Sequence, residues 1–453
     1  MADEPNIRRV ATGWPIFWLL MPVWLHGAGM TVSVVRSRGF PFGLLDLAVL
    51  LVVILYLSGV AAIALRPALA AKFALLVYAM LLPLVTVEVG ARLLDRGSGM
   101  RLPWPPMRLV STASDTMPGN EGEIIFTITP RGVRAPDIWP DSREDRILCI
   151  GGSSTECRYV TDQRSWPWQL GTRLSERMGR EVLVANAGRS GHFTLHHLAQ
   201  LRGYPYADQF GTVVVLSGIN DAGTLLRGNY EARAATVEQD ALTGDQPVPG
   251  AYYRKSYLLR TMKNLMGRWI SSGDQIEQDP TGAWYAEQRA ERARLLAEHP
   301  ISKIPADLEV RLQRYRDNLK AIIEQCARRK QQLVLVTQPT LWRNNLPDKQ
   351  ASLLWEHTGT AAHTTDVLSR VIASYNDAMR EVAQQYQVPC VDLEKRLNDD
   401  PAAFYDDCHF NQHGCDVVAE VLCDQLQPLL TQRGQGTAPL QPADSAAAAA
   451  ASP

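Results

Sequence analysis

The chain has 453 residues, 46% hydrophobic and 21% charged, with 46 basic side chains against 47 acidic ones. That balance excludes an overall basic nucleic-acid binder and an acidic solvating chain, and the aliphatic content excludes a wholly disordered one. The average conceals a partition, because residues 1–100 hold only 13 of the 93 charged side chains, eight basic and five acidic, and the other 353 residues hold 80. This is the composition of a membrane-embedded head followed by a soluble body, with a lipid bilayer as partner and no nucleic acid.

Residues 10–35 contain no Asp, Glu, Lys or Arg and are punctuated by Trp14, Trp18 and Trp24. They are long enough to cross ~30 Å of hydrocarbon as a helix, with aromatic residues near an interface. A second span runs from about Pro41 to Leu65, and a third from about Leu69 to Leu94, where only 15 residues between Lys72 and Glu88 are free of charge. Residues 1–96 are therefore expected to form about three transmembrane helices, or two and an interfacial one. A cleaved signal peptide fits poorly, since one apolar segment follows another. Asp46 and Glu88 fit headgroup level at span ends better than intramembrane acids. With the N-terminus inside, Arg8, Arg9, Arg66 and Lys72 face the cytoplasm, against Arg36, Arg38, Arg92, Arg96, Arg101 and Arg108 on the other side. That count leans against export of the body by two charges and does not decide orientation.

Residues 97–145 are rich in Pro and Gly and read as a stalk or lead-in, with one strand at 123–128. From 146 to 432 short apolar runs alternate with helical patterns: 146–150, 181–185, 212–216, 332–337 and 389–393. Each run is β-branched or aliphatic and ends at Gly, Asn, Ser, Pro or Asp, so the expectation is α/β, with a parallel five-strand sheet covered by helices on both faces. A polar insertion with helical stretches occupies about 222–310 and is expected to wall or cover the pocket. Residues 433–453, Gly and Pro followed by an Ala run, read as a disordered tail.

Functional residues of such sheets gather at the C-terminal ends of the strands. Those ends carry Gly151-Gly152-Ser153-Ser154-Thr155, then Asn186-Ala187-Gly188-Arg189-Ser190-Gly191, then Gly218-Ile219-Asn220-Asp221, and finally Asp406-Asp407-Cys408-His409 before the last helix. These are the parts acyl transfer needs. A serine on a tight strand-to-helix turn becomes a nucleophile when an imidazole oriented by a carboxylate takes its proton. Backbone N–H groups and an Asn amide can stabilise the tetrahedral intermediate. Asp406 and His409, three apart, can orient to one another across a short turn.

This ordered set resembles the SGNH/GDSL hydrolase family over roughly residues 146–425. The resemblance implies a three-layer, flavodoxin-like α/β sandwich around a parallel five-strand sheet. It implies Ser153 as nucleophile, His409 as general base and acid, and Asp406 as its orienting carboxylate. The oxyanion hole would be the N–H groups of Ser153 and Gly191 with the Asn220 side chain. Many members carry Gly-Asp-Ser in the first block, whereas Gly152 stands at the Asp position here, as in membrane-anchored relatives. No metal, nucleotide or other cofactor is expected. The function implied is a membrane-anchored serine esterase acting on an acylated small molecule or a surface glycan, O-acetyl groups included, from a multi-pass plasma-membrane protein of a bacterium with its body outside the cytoplasm. The alternatives are an O-acyltransferase for a surface polysaccharide and a non-catalytic glycan-binding or assembly protein.

Other candidates are weaker. His192 and His196 have a zinc-compatible spacing, but no carboxylate or Cys accompanies them, so a helix facing the pocket or solvent is expected. His413 lacks a carboxylate three residues before it and reads as a helix cap. Ser154 is a rival to Ser153, and is expected to support the helix start. Trp166 and Trp168 read as packing rather than a carbohydrate platform, and Arg343 as a solvated loop residue rather than an anion contact. Cys149 and Cys390 read as core residues. Cys157 and Cys408 flank the site and, in an exported body, are candidates for a disulfide fixing the base loop.

Overall fold

A computed structural model of the chain describes residues 102–104, 106–237, 241, 275–276 and 280–434, with five helical positions at 79, 82, 83, 86 and 90. The three expected spans, the Ala-rich tail beyond 434 and much of the insertion lie outside the described residues, apart from those five positions. Among the described residues no helix is long and apolar enough to cross a membrane. The described residues from 102 onward fall in one unit, Met100–Gln246 with Asp274–Pro453.

In chain order, strands β1 (Met107–Thr112) and β2 (Glu123–Ile128) pair antiparallel, Met107 opposite Ile128. Next come β3 (Arg146–Gly151), the one-turn helix α1 (Ser153–Glu156), α2 (Trp166–Met178), β4 (Leu183–Asn186), α3 (Thr194–Gly203) and β5 (Thr212–Leu216). Helices α4 (Ile219–Leu226) and α5 (Tyr230–Ala234) follow, then β6 (Gln275–Ile276), α6 (Pro280–Glu298), β7 (Pro300–Ile301) and α7 (Leu308–Arg328). The chain continues through β8 (Gln332–Val336), α8 (Asp348–Ala351), β9 (Ala362–His363), α9 (Thr365–Gln385), β10 (Cys390–Val391), α10 (Leu393–Leu397) and α11 (Gln412–Gly434).

Five strands form one parallel sheet in the order β10-β8-β5-β3-β4. Every residue of β4 and β5 is buried, which is why both read as unbroken apolar runs rather than alternating ones. Helices α2 and α11 pack together, and α3, α7 and α9 form a second group. Right-handed crossovers put the two groups on opposite faces of the sheet. The last strand is shorter than expected because Asp392 caps α10, its carboxylate accepting the Lys395 N–H. Cys149 is fully buried, and burial pushes its thiol up, as befits a small core residue.

The segment read as a stalk or lead-in is built into the body from β1 onward. Ile124, Phe126 and Ile128 are buried while the residues between them are only half-buried, so β2 has an inner face. Arg134 pairs with Asn186 at the end of β4, each N–H donating to the other's carbonyl at 2.9 Å. Its buried guanidinium meets the Asp162 carboxylate at 2.5 Å and the Glu156 and Cys157 carbonyls at 3.0 and 2.9 Å. A buried cation is tolerated only with such full pairing.

Candidate active site

From β3 the chain moves to β4 on one side of the sheet and then crosses to β5 on the other, so strand order reverses between β3 and β5. A crevice opens at such a point. Ser153 leaves β3 there and Asn220 follows β5. Ser153 is the first residue of α1 and half-buried. Gly152 allows a close approach, since a Cβ at this position would lie 2.4 Å from Asn220 Nδ2. The Asn220 amide can therefore stand against the nucleophile turn, where it donates to the His192 carbonyl at 2.9 Å.

His409 Nε2 lies 2.5 Å from Ser153 Oγ, and its Nδ1 lies 2.6 Å from Asp406 Oδ2. Asp406 is fully buried, and its other oxygen accepts the Cys408 and His409 N–H groups at 3.0 and 2.9 Å. Burial opposes its ionisation, but His409 and these N–H groups outweigh that and hold the carboxyl below its usual value. For His409, burial favours the neutral ring, yet the Asp406 carboxylate outweighs it and lifts the imidazole well above the ordinary value. The arrangement can pass a proton from a serine hydroxyl to an imidazole whose cation is stabilised from behind.

Among the described residues, no hydrogen bond uses the N–H of Ser153 or of Gly191. Gly191 adopts φ +77°, open to glycine at little cost. Both donors and the Asn220 amide lie at one end of the sheet, Ser153 and Asn220 at the starts of α1 and α4. Asp221, the next residue, is buried and accepts the Thr194 N–H and hydroxyl, tying the N-terminus of α3 to the third block. Burial pushes its carboxyl up to about 6 against these donors.

The rival serine is tied down. Ser154 is 2% exposed, and its hydroxyl donates to the Cys408 carbonyl at 3.1 Å. Trp166 is fully buried and its indole N–H donates to the Ser154 carbonyl at 3.0 Å, so it supports the nucleophile turn and offers no sugar platform. His192 and His196 differ from expectation. They are buried, their rings stack 4.5 Å apart, and their Nδ1 atoms have no partner among the described residues. Only His196 lies on α3. Burial, reinforced by Arg233, brings His196 down to about 2, so it stays neutral. His413 lies within α11 and pairs with Asp400 at 2.7 Å rather than capping the helix. Arg343 is half-buried with no hydrogen-bond partner for its terminal nitrogens among the described residues, not solvated as expected. Cys157 and Cys408 are free thiols; the sulfur facing Cys157 is that of Cys415, at 3.9 Å. Among the described residues, the one trio of potential metal ligands is Asp406, Cys408 and His409, and two of these three are the residues hydrogen-bonded in series to Ser153.

Several contributors escaped sequence reasoning. The Trp355 indole N–H donates to Asp406 Oδ2 at 3.2 Å, and its backbone N–H donates to Asp407 at 2.7 Å. Tyr405 stacks on the His409 ring, nearly parallel, 5.5 Å between centres. Arg289, on α6 of the insertion, bridges the carbonyls of Thr116 and Tyr405 at 2.7 and 2.9 Å. The insertion thus reaches the base loop from behind. Tyr285, also on α6, completes an aromatic cluster with Tyr159, Trp355 and Tyr405.

The family model for GDSL-like lipases and acylhydrolases matches residues 149–417. No curated protein sequence matches the chain. Among solved structures, the lipase/acylhydrolase of Enterococcus faecalis is similar at 16% identity, covering 62% of this chain and 95% of its own, with a TM-score of 0.34. A GDSL-like lipase of Bacteroides thetaiotaomicron is similar at 13% identity, covering 64% of this chain and 91% of its own, with a TM-score of 0.33. The acetylxylan esterase of Geobacillus stearothermophilus is similar at 14% identity, covering 62% of this chain and 93% of its own, with a TM-score of 0.34. These likenesses are distant, and membership rests on the family match, which takes in all four blocks. The chain belongs to the GDSL-like lipase/acylhydrolase family, and it is a serine ester hydrolase or a related acyltransferase.

Proposed function

We propose that the chain is a membrane-anchored esterase that removes O-acyl groups, acetyl among them, from a cell-surface glycan through an acyl-Ser153 intermediate. The observation that carries this reading is the hydrogen-bonded series Ser153–His409–Asp406, at 2.5 and 2.6 Å. Ser153 Oγ attacks the ester carbonyl while His409 Nε2 takes its proton, and Asp406 stabilises the imidazolium. The carbonyl oxygen gains negative charge in the space offered by the N–H groups of Ser153 and Gly191 and the Asn220 amide. His409 then returns the proton to the leaving alcohol. A water activated by the same ring cleaves the acyl-serine and restores the hydroxyl. Anchoring and an extracytoplasmic body are supported by the charge-poor N-terminal spans and the resemblance to membrane-anchored relatives, and the glycan by that resemblance.

Labelling by a fluorophosphonate probe tests the core of this reading: the wild-type chain should be labelled and Ser153→Ala should not. Absence of labelling in folded wild-type protein favours a glycan-binding role without catalysis. An acylated donor supplied with and without a glycan acceptor separates hydrolysis from transfer. Release of free acid without acceptor is expected, and transfer without such release would convert the assignment to an O-acyltransferase.

A further inference from the structure

The Gly191 N–H sits on a peptide that a turn can present in either of two directions. His192 N–H donates to the Arg189 carbonyl at 3.1 Å, closing a four-residue turn with Gly191 third, at φ +77°. Ser190 is not among the residues with positive φ, so the turn is type II. Type I and type II turns share the closing hydrogen bond and differ in the direction of the middle peptide, here the one joining Ser190 to Gly191. Rotating that peptide would reverse the direction of the Gly191 N–H and leave the closing bond in place. The direction must therefore be held from outside the turn.

Two side chains grip the turn, one on each side of that peptide. On one side the Ser190 hydroxyl donates to the carboxylate of Glu156, a 2% exposed residue three positions after Ser153. On the other side the Gly191 carbonyl accepts from the guanidinium of Arg233, on α5. That guanidinium also stands 5.5 Å from the centre of the Phe193 ring, which fixes its approach. We propose that Glu156 and Arg233 are positioning residues that lock the Ser190–Gly191 peptide with its N–H directed at the developing oxyanion. The inference rests on the acyl-Ser153 reading above. It assigns the insertion a part in catalysis, since Arg233 lies within 222–310.

The test uses the full-length chain purified in a mild non-ionic detergent, with p-nitrophenyl acetate as substrate and phenylboronic acid as the tetrahedral mimic. Rates are normalised to sites titrated by a fluorophosphonate, so that unfolded protein drops out. Ser190→Ala removes one grip at an exposed position, and Arg233→Ala removes the other. The double variant should lose roughly 10- to 100-fold in kcat per site with KM nearly unchanged. Affinity for the boronic acid should fall by the same factor, and Arg233→Lys should restore much of the loss by keeping a donor. A double variant with wild-type kcat per site and wild-type boronate affinity overturns the proposal, provided Asn220→Ala is slowed and Ser153→Ala is inactive. If Ser153→Ala remains active, the acyl-enzyme reading itself fails and this inference falls with it, and if only Asn220→Ala is not slowed, the oxyanion forms elsewhere and this inference fails alone.

Discussion

The turn that carries Ser153 and the loop that carries His409 meet at 2.5 Å, yet their supports come from different parts of the chain. Ser153 is held chiefly by neighbours within residues 125–186: the buried strand β3, the Asn186 amide on the Thr155 carbonyl at 2.7 Å, and the Arg134 guanidinium under the end of α1, with the Cys408 carbonyl on the Ser154 hydroxyl as a distant addition. His409 is held by distant groups. Trp355 donates to Asp406 from 51 residues away, and Arg289 reaches the Tyr405 carbonyl across 116. Asp407 anchors the same loop by accepting from the Trp342 and Trp355 N–H groups. The proposed nucleophile thus leans mostly on its own sequence neighbourhood, whereas the proposed base depends on segments far apart in sequence.

Substitutions can break or sharpen this contrast. The largest effect belongs to Ser153→Ala, which should lower turnover of p-nitrophenyl acetate about a million-fold. Asp406→Asn should cost about ten-thousand-fold in kcat. It also tests the electrostatics. His409 must be neutral to take the serine proton, so wild-type kcat/KM should rise with pH through a midpoint above the ordinary 6.5. Removing the Asp406 charge should move that midpoint down, and a pH–rate profile in which it stays put would contradict the account given for His409.

Arg134→Leu attacks the nucleophile side through stability. It strands the Asp162 carboxylate, in a pair with side chains only 2% and 5% exposed, and frees several carbonyls. Denaturant unfolding should show a loss of about 3–5 kcal/mol, and replacing Asp162 by Leu as well should recover part of it. Trp355→Phe attacks the base side without emptying the aromatic cluster. Loss of one hydrogen bond to a charged group, about 1.5 kcal/mol, should lower kcat roughly tenfold with the thermal midpoint little changed. The smallest effect is that of Ser154→Ala, which should cost about 1 kcal/mol in stability and leave kcat and labelling of Ser153 intact. Loss of labelling there would make Ser154 the nucleophile.

The same contrast explains what could be read in advance. β3, β4, β5 and β8 were legible because strands covered on both faces must be apolar throughout, and their ends are marked by the Gly, Asn and Ser that leave them. The Ser153, Asn186–Gly191, Asn220 and Asp406–His409 blocks were legible because each directly follows such a strand or precedes the last helix. Trp355 and Arg289 carry no local mark, since only folding brings them to Asp406 and Tyr405. Arg134, set among Pro and Gly in the segment read as a stalk or lead-in, carries no local mark of burial. The sign of its burial was the alternation at Ile124, Phe126 and Ile128, an apolar face that requires a body to cover it. β1 escaped because Arg108, Ser111 and Thr112 blur its pattern, and none of its residues is fully buried.

The bridge between Arg134 and Asn186 has a consequence for assembly. β4 is one border of the sheet, and its last residue already has both main-chain groups paired, while the opposite border, β10, is two residues long. A free strand border is a template on which another chain can add. Here one border is partly occupied from within and the other offers almost nothing to pair with. Copies crowded together therefore have little means of joining through the borders of this five-strand sheet.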